Sequence, residues 1–307
     1  WAHHGVVVNE AGDVIACHPA YATLLVFDAN GRLRRTIPTD LIEGHSMTLV
    51  KEGDTEYLWI ADTGLKRTPE SNYQYPMTSP GPRVVKMTLD GRVVAQIQRP
   101  SLAIYETGKY TPTWVAVHEK WHGGNGDVWV TDGYGSSVVH RFTAEGSYAG
   151  SIDGTEGAVG HFSCPHAIWI DYRKADPELY VADRANNRLQ IYDLDGHFKR
   201  VVGAEFFVTP TGFAQVGDAL VVIELRARMT ILDAADRLLT HLGANQEVCT
   251  VDGWPNVKNA DGIPTRTNLL RPGYLNSPHG IAADRAGNLY LSEWLIGGRY
   301  TKLQKIW

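Results

Sequence analysis

Apolar and polar positions alternate over short stretches of this chain, and that alternation predicts β-strands. The segment Cys164–Asp195 reads CPHAIWIDYRKADPELYVADRANNRLQIYDLD, in which the stretches HAIWID, LYVADR and RLQIYD are separated by turn residues. Ile168 and Ile170 stand two residues apart, a spacing that fits one face of a short strand rather than a helix. We therefore predict a unit of short strands joined by tight turns.

This unit recurs along the chain. Related stretches begin at Gly44 (GHSMTLVKEGDTEYLWIADTG), at Pro112 (PTWVAVHEKWHGGNGDVWVTDGYG) and at Ser277 (SPHGIAADRAGNLYLSEW). A repeat of about 40 residues built from strands and turns is typical of a β-propeller. Six such units of roughly 40–50 residues would fill the chain. The predicted fold is therefore an all-β, six-bladed β-propeller that forms a single domain over residues 1–307.

The predicted blades have turns and insertions of different length. In blade 1 the hairpin turns are expected at 11–13 and 29–31, where Gly or Asn accepts a positive φ. Blade 2 carries the long insertion LKRTPESNYQYPMTSPGP, either a binding loop or lid or an ordinary surface excursion. Residues 244–276 are predicted to form a long loop over one face of the disc. The last strand is expected over Thr301 to Trp307, with residues near Trp1 completing blade 6.

Histidines recur at the residue that opens the first strand of a blade, which we call the opening position. The opening residues are His4, His45, Thr113, His166, Thr211 and His279. Equivalent positions of successive blades surround one axis, so these side chains are expected to meet at one end of a central channel. Three neutral imidazoles with an open fourth position form a catalytic zinc site. We predict zinc, or another divalent transition metal, on His45, His166 and His279, with His4 as a fourth ligand or a close neighbour.

A second register of polar residues lies at the ends of the second strands. Its members are Asp62, Asp132, Asp183, Glu224 and Glu293. Such carboxylates either face the channel mouth or fix a turn by accepting backbone N–H groups, and the turn role is the commoner one.

Net charge and composition exclude some classes of function. The chain carries a net charge of −5 and no cluster of Lys and Arg, which argues against nucleic-acid binding. No apolar run is long enough to span a membrane, so a soluble protein is expected. The chain opens at Trp1 without a signal peptide, which leaves a cytoplasmic protein and a secreted, processed one both open. The cysteines Cys17, Cys164 and Cys249 are expected as buried thiols, or as one disulfide and one thiol.

Several motifs carry a resemblance to a known family. They are VTDGYGSSVVHRF at 130–142, PHAIWI followed by LYVADRANNRLQIY, and SPHGIAAD followed by GNLY. Over most of its length the chain resembles NHL-repeat propellers and, among them, the peptidyl-α-hydroxyglycine α-amidating lyases. The resemblance implies that His45, His166 and His279 hold zinc, that Tyr134 is the active-site tyrosine, and that Arg184 is an active-site arginine. It also implies a structural calcium held by backbone carbonyls near Val6, Met47 and Gly280.

The chain departs from the family pattern in its substrate-binding part. The family has a second arginine at the end of the second strand of blade 1, where His18 is the nearest candidate here. It has Met before the Pro-His of blade 6, where this chain has Ser277, and His4 is an additional imidazole. The sequence therefore fits a relative of the amidating lyases better than it fits a member of that family.

The main functional hypothesis is a metal-dependent lyase that acts on a small molecule or on the terminus of a peptide. The metal would lower the pKa of a substrate hydroxyl, Tyr134 would take its proton, and Arg184 would hold a carboxylate. An α-hydroxyglycine would then yield a primary amide and glyoxylate. The alternatives are a lactonase-like hydrolase that activates water and a non-catalytic interaction module.

Overall fold

The computed structural model describes residues 1–71, 73 and 81–306. Its sheets are arranged as a six-bladed propeller, which confirms the predicted fold class. Each of the first five sheets contains four strands that follow one another in the chain. Blade 1 is built from β1 (Val6–Val8), β2 (Val14–Cys17), β3 (Thr23–Phe27) and β4 (Leu33–Pro38). Blade 2 is built from β5 (Gly44–Glu52), β6 (Thr55–Asp62), β7 (Arg83–Thr88) and β8 (Val93–Ile97).

The next three blades repeat this order. Blade 3 contains β9 (Trp114–Val117), β10 (Val128–Asp132), β11 (Val138–Phe142) and β12 (Tyr148–Ile152). Blade 4 contains β13 (Pro165–Asp171), β14 (Glu178–Asp183), β15 (Arg188–Tyr192) and β16 (Phe198–Val202). Blade 5 contains β17 (Pro210–Val216), β18 (Ala219–Glu224), β19 (Arg228–Leu232) and β20 (Leu238–Leu242).

The connections contain short helices and one hairpin. A single turn of α-helix, α1 (Ile104–Thr107), stands between blades 2 and 3. The 3₁₀ turns cover Pro69–Ser71, Lys120–His122, Thr155–Gly157, Arg184–Asn186 and Gln246–Thr250. The predicted 244–276 loop holds the last of these turns and a two-stranded hairpin of β21 (Val257–Lys258) and β22 (Pro264–Thr265). Eight of the 18 residues of the blade-2 insertion, residue 72 and residues 74–80, lie outside the described residues.

Blade 6 differs from the prediction at its outer edge. In the described residues it has three strands, β23 (Pro278–Ala283), β24 (Leu289–Glu293) and β25 (Arg299–Leu303). The last strand was predicted from Thr301 to Trp307, but it begins at Arg299 and, among the described residues, ends at Leu303; Trp307 lies outside those residues. Residues near Trp1 do not complete this sheet, because Ala2 donates its N–H to Leu295, a loop residue, and the chain then enters β1.

The chain divides into two compact units, each with its own apolar core. The first unit comprises Trp1–Gly44, Leu65–Ser79 and Thr211–Trp307, and the second comprises His45–Gly64 and Pro80–Pro210. In the second unit the sheets of blades 2 and 3 share a core that includes Trp59, Val115 and Phe142. Strands β10 and β14 are buried along their whole length, so their exposed–buried alternation is lost. The single domain over residues 1–307 stays a prediction from the repeat count.

Four of the five carboxylates at the ends of the second strands accept a backbone N–H group at a turn, as the commoner reading predicts, and these four are Asp62, Asp132, Asp183 and Glu293. The Asp183 carboxylate accepts the backbone N–H of Ser163 at 2.7 Å, and the Glu293 carboxylate accepts that of Asn276 at 2.7 Å. Four of the five stand directly opposite an arginine of the third strand. These pairs are Asp62–Arg83, Asp183–Arg188, Glu224–Arg228 and Glu293–Arg299. Opposite Asp132 the third strand has Val138 instead.

No helix among the described residues is long and apolar enough to cross a membrane. No disulfide joins Cys17, Cys164 and Cys249 in the described part of the chain, which supports three thiols, although only Cys17 is buried and the other two are half-buried.

Candidate active site

Four of the residues predicted for the site come together in the second unit. The rings of His45 and His166 lie 4.9 Å apart between centroids, and the Tyr134 ring lies 5.0 Å from His45 and 5.5 Å from His166. The Arg184 guanidinium carbon lies 5.1 Å from the centroid of the Tyr134 ring. Both histidines are fully buried, whereas Tyr134 and Arg184 are half-buried. The cluster therefore has a buried imidazole side and a more accessible phenol–guanidinium side.

A β-bulge directs the side chain of His166. Strand β13 begins at Pro165, which can open a strand because it has no N–H to donate to the ladder. The pairing register of β13 with β14 shifts between Pro165 and Ala167, so His166 is the extra residue of a bulge. A bulge re-aims the side chain of its extra residue and is over-represented near active sites. His279 occupies the same place in β23, where the register shifts between Pro278 and Gly280.

Two glycines bring the backbone around Tyr134 close to its neighbours. A Cβ on Gly133 would lie 2.6 Å from Thr113 Oγ1 and against the Pro165 carbonyl, and a Cβ on Gly135 would collide with the Asp132 carboxylate. Thr113 Oγ1 also donates to the Pro165 carbonyl at 3.2 Å. The Asp-Gly-Tyr-Gly sequence thus lets the Tyr134 loop lie against the strand that presents His166.

Gly133→Ala is expected to lower the free energy of unfolding by about 1–3 kcal/mol, the usual cost of overpacking a close contact. It should also lower turnover, since the displaced loop carries Tyr134. Chemical denaturation and steady-state rates check both effects. Gly150→Ala in β12 is the matched control, because a Cβ there meets nothing within 4 Å. Equal behaviour of the two variants would contradict the close-approach argument.

The tautomer of His45 follows from its backbone partner. His45 Nδ1 lies 2.6 Å from the Thr113 carbonyl, and a carbonyl only accepts, so Nδ1 carries the proton and Nε2 carries the lone pair. Burial lowers the pKa of His45 to about 3, with the Arg184 cation acting in the same direction and the Thr113 hydrogen bond opposing it. The imidazole is therefore neutral at physiological pH. A neutral histidine whose other N–H is held by a backbone carbonyl is the usual form of a metal ligand.

Tyr134 links a cation to an imidazole. Arg184 Nη1 donates to the phenol oxygen at 3.1 Å, and His166 Nε2 lies 2.9 Å from the same oxygen. Because Arg184 can only donate, the phenol proton is available for His166 Nε2. A negative charge on the phenol oxygen would be stabilised by the guanidinium. The arrangement can therefore move a proton to and from a group bound beside Tyr134.

The other predicted histidines lie in the first unit. His279 is buried, and its ring lies 4.5 Å from that of His3. The His4 ring packs against Tyr300 at 5.1 Å, and the His4 carbonyl accepts the hydroxyl of Ser292 at 2.7 Å. The repeat register pointed to His4 and missed His3, which stands one residue earlier. The only sequence signal for His3 was its place next to His4.

His18 is engaged in the turn after β2. Its Nδ1 accepts the backbone N–H groups of Ala20 and Tyr21 at 3.0 and 3.1 Å, and its ring packs on Tyr21. Burial lowers its pKa, and Lys66 adds to that shift. These contacts give His18 a structural role, because its side chain stabilises the turn. Its predicted catalytic role stays a prediction.

Comparison with known proteins identifies the fold. No protein-family model matches the chain, and no curated protein matches it. A streptogramin B lyase structure is similar over 98% of this chain and 93% of that one, with a TM-score of 0.60 and 16% identity. A catalytically inactive virginiamycin B lyase from Staphylococcus aureus with quinupristin gives a TM-score of 0.57 at 15% identity over 99% and 81% of the two chains.

A nidogen/laminin complex is also similar, with a TM-score of 0.54 and 14% identity over 95% of this chain and 85% of that chain. Enzymes and a partner-binding protein thus share this architecture. At these identities the similarity concerns the fold alone, and the finer resemblance to peptidyl-α-hydroxyglycine lyases stays a prediction. The chain is a six-bladed β-propeller.

Proposed function

We propose that this protein is a metal-dependent lyase that cleaves a carbon–heteroatom bond in a small hydroxylated substrate or at the end of a peptide. The cluster of Tyr134, His166, Arg184 and His45 is the observation that carries the proposal. Two of the structures that share the fold are named as lyases, which supports the reaction class.

The imidazoles of the cluster fit a divalent metal. His45 is neutral, its proton is held on Nδ1 by Thr113, and its Nε2 carries the lone pair. His166 is fully buried and stands 4.9 Å from His45 between ring centroids. Nitrogen donors of this kind suit zinc and similar ions. The repeat register adds His279 as a third ligand and His4 as a further candidate, a part of the proposal that rests on sequence alone.

The residues of the chain supply binding and proton transfer. When bound, a divalent metal would supply Lewis acidity to the substrate hydroxyl. Arg184 donates to Tyr134, and the planar fork of N–H donors in its guanidinium matches the geometry of a substrate carboxylate. Tyr134, with its negative form stabilised by Arg184, would accept the hydroxyl proton.

The bond changes then balance without a further reactant. As the carbon–oxygen bond becomes a carbonyl, the carbon–nitrogen bond breaks and its electron pair leaves with the nitrogen. Tyr134 returns the proton to that nitrogen. For an N-acyl-α-hydroxyglycine the products are a primary amide and glyoxylate. The structural calcium implied by the family resemblance is a separate proposal, and no step depends on it.

Incubation of the purified protein with N-acyl-α-hydroxyglycines should release glyoxylate, measured against a panel of lactones. Release that is lost after chelation and restored by zinc would support a metal-dependent lyase. Hydrolysis of lactones alone would favour the hydrolase. No turnover of either panel by metal-loaded protein would favour a non-catalytic propeller and would contradict the proposal.

A further inference from the structure

Blade 3 has a strand-end carboxylate, Asp132, that faces a valine rather than an arginine. Asp132 is fully buried, and Val138 stands opposite it, whereas the strand-end carboxylates of blades 2, 4, 5 and 6 each face an arginine. Backbone and side-chain donors converge on Asp132 instead. Its Oδ1 accepts the N–H of Thr111 at 2.6 Å, and its Oδ2 accepts the N–H of Ser136 and the hydroxyl of Tyr105, both at 2.8 Å. Ser136 belongs to the loop that carries Tyr134, and the carbonyl of Thr111 accepts the N–H of Tyr134 at 3.4 Å.

A chain of side-chain hydrogen bonds connects Asp132 to the surface of blade 3. Tyr105 Oη lies 2.6 Å from His140 Nε2, and His140 Nδ1 lies 2.7 Å from Ser151 Oγ. Ser151 Oγ lies 2.8 Å from the hydroxyl of Tyr148, which is an exposed residue. The buried carboxylate therefore has a continuous polar route to solvent.

In this chain of hydrogen bonds, every donor is directed toward Asp132. Tyr105 has one proton and gives it to the carboxylate, so its oxygen accepts from His140 Nε2–H. His140 Nδ1 is then the acceptor of the Ser151 hydroxyl, and Ser151 accepts from Tyr148. Such an ordered set of donors stabilises a negative charge at its end and can pass a proton along it.

In the part of the chain that the structure describes, no cation forms an ion pair with the Asp132 carboxylate. Burial raises the pKa of Tyr105 and of Tyr110, and it lowers the pKa of His140 to about 4, so all three are neutral near pH 7. Arg99 lies over the far side of this group, 5.5 Å from the centroid of the Tyr105 ring. Burial also raises the pKa of Asp132 to about 6, while its hydrogen bonds act in the opposite direction.

We propose that Asp132 is a pH-responsive positioning residue for Tyr134, which in its ionised form holds the loop of residues 132–137 through Thr111 and Ser136. Hydrogen bonds to a carboxylate are roughly twice as strong as those to a neutral group, so protonation loosens the hold. This inference rests on the proposed lyase function only where turnover is the quantity measured. The positioning itself is a property of the folded protein.

The test uses NMR titration of the whole protein. With ¹³C-labelled aspartate, the Asp132 carboxyl signal, assigned by its absence in Asp132→Asn, should titrate near pH 6 rather than near the ordinary value of about 4. With ¹³C-labelled tyrosine, the Tyr134 signal should shift with the same midpoint. A Tyr134 signal that does not respond at this pH, or a carboxyl that titrates near 4, would overturn the proposal. Neither signal requires turnover, so their outcome is separate from that of the lyase assay.

Tyr105→Phe keeps the ring and removes one donor from the carboxylate, so both midpoints should move to higher pH. This variant also tests the proposal if Asp132→Asn does not fold. Glu224→Gln changes the matching strand-end carboxylate of blade 5, which has Arg228 opposite it, and should leave the Tyr134 midpoint in place. If turnover is measurable, it should decline below neutral pH. In Tyr105→Phe the midpoint of this decline should move to higher pH together with the NMR midpoints. If the midpoints in Tyr105→Phe stay where they are, the hydrogen-bond chain does not stabilise the Asp132 carboxylate, and this part of the proposal is wrong.

Discussion

Tyr134→Phe is expected to lower turnover by roughly 10²-fold or more, the scale on which a general base contributes, while fold and metal content are retained. The substitution removes the oxygen that lies 2.9 Å from His166 Nε2 and 3.1 Å from Arg184 Nη1 and keeps the ring that packs against His45. Proton transfer is then lost, whereas the apolar contacts of the ring remain. Steady-state rates on the substrate found by the glyoxylate assay measure the effect.

Tyr21→Phe is the matched control, because Tyr21 is 72% exposed and should tolerate the change without loss of rate. Elemental analysis and thermal unfolding of both variants show whether the site is otherwise intact. Undiminished turnover by a metal-loaded Tyr134→Phe protein would remove Tyr134 from the mechanism. It would also remove the main reason to prefer a lyase over a hydrolase.

His45→Ala and His166→Ala should each lose most of the bound metal, because a site built from few ligands does not tolerate the loss of one. The imidazole of His45 is fully buried and neutral, so no protonation step masks its contribution at physiological pH. Metal content by elemental analysis after dialysis against a weak chelator is the measurement. His197→Ala, at a histidine whose side chain is 79% exposed, is the control.

The same experiment separates the candidate third and fourth ligands. His279→Ala should lose metal if the repeat register is a correct guide, and His4→Ala should lose it only if His4 is a ligand. Because the His3 ring lies against His279, His3→Ala belongs in the series. Full metal content in both His45→Ala and His166→Ala would show that the metal lies elsewhere.

The repeat pattern was sufficient to predict the sheets and the start of each blade. Each strand must bury apolar residues against neighbouring sheets, and many turns place Gly or Asn at positive φ, so both features recur at a fixed spacing. Gly12 and Gly31, for example, adopt φ near +80° in the predicted turns of blade 1. The same register, with the family resemblance, singled out Tyr134, His166, Arg184 and His45 before any distance was known.

Other features depend on contacts between residues far apart in the chain, which leave no local pattern. The sequence by itself determined an all-β propeller of six repeats with histidines at four opening positions. Only the tertiary structure decided that blade 6 has three strands in the described residues, that the His3 ring lies against His279, and that Thr113 sets the tautomer of His45. It also showed that Asp132 faces a valine and a tyrosine–histidine chain where its counterparts face arginine. The physical reason is that burial and hydrogen-bond partners, which decide how a side chain ionises, are set by packing rather than by spacing.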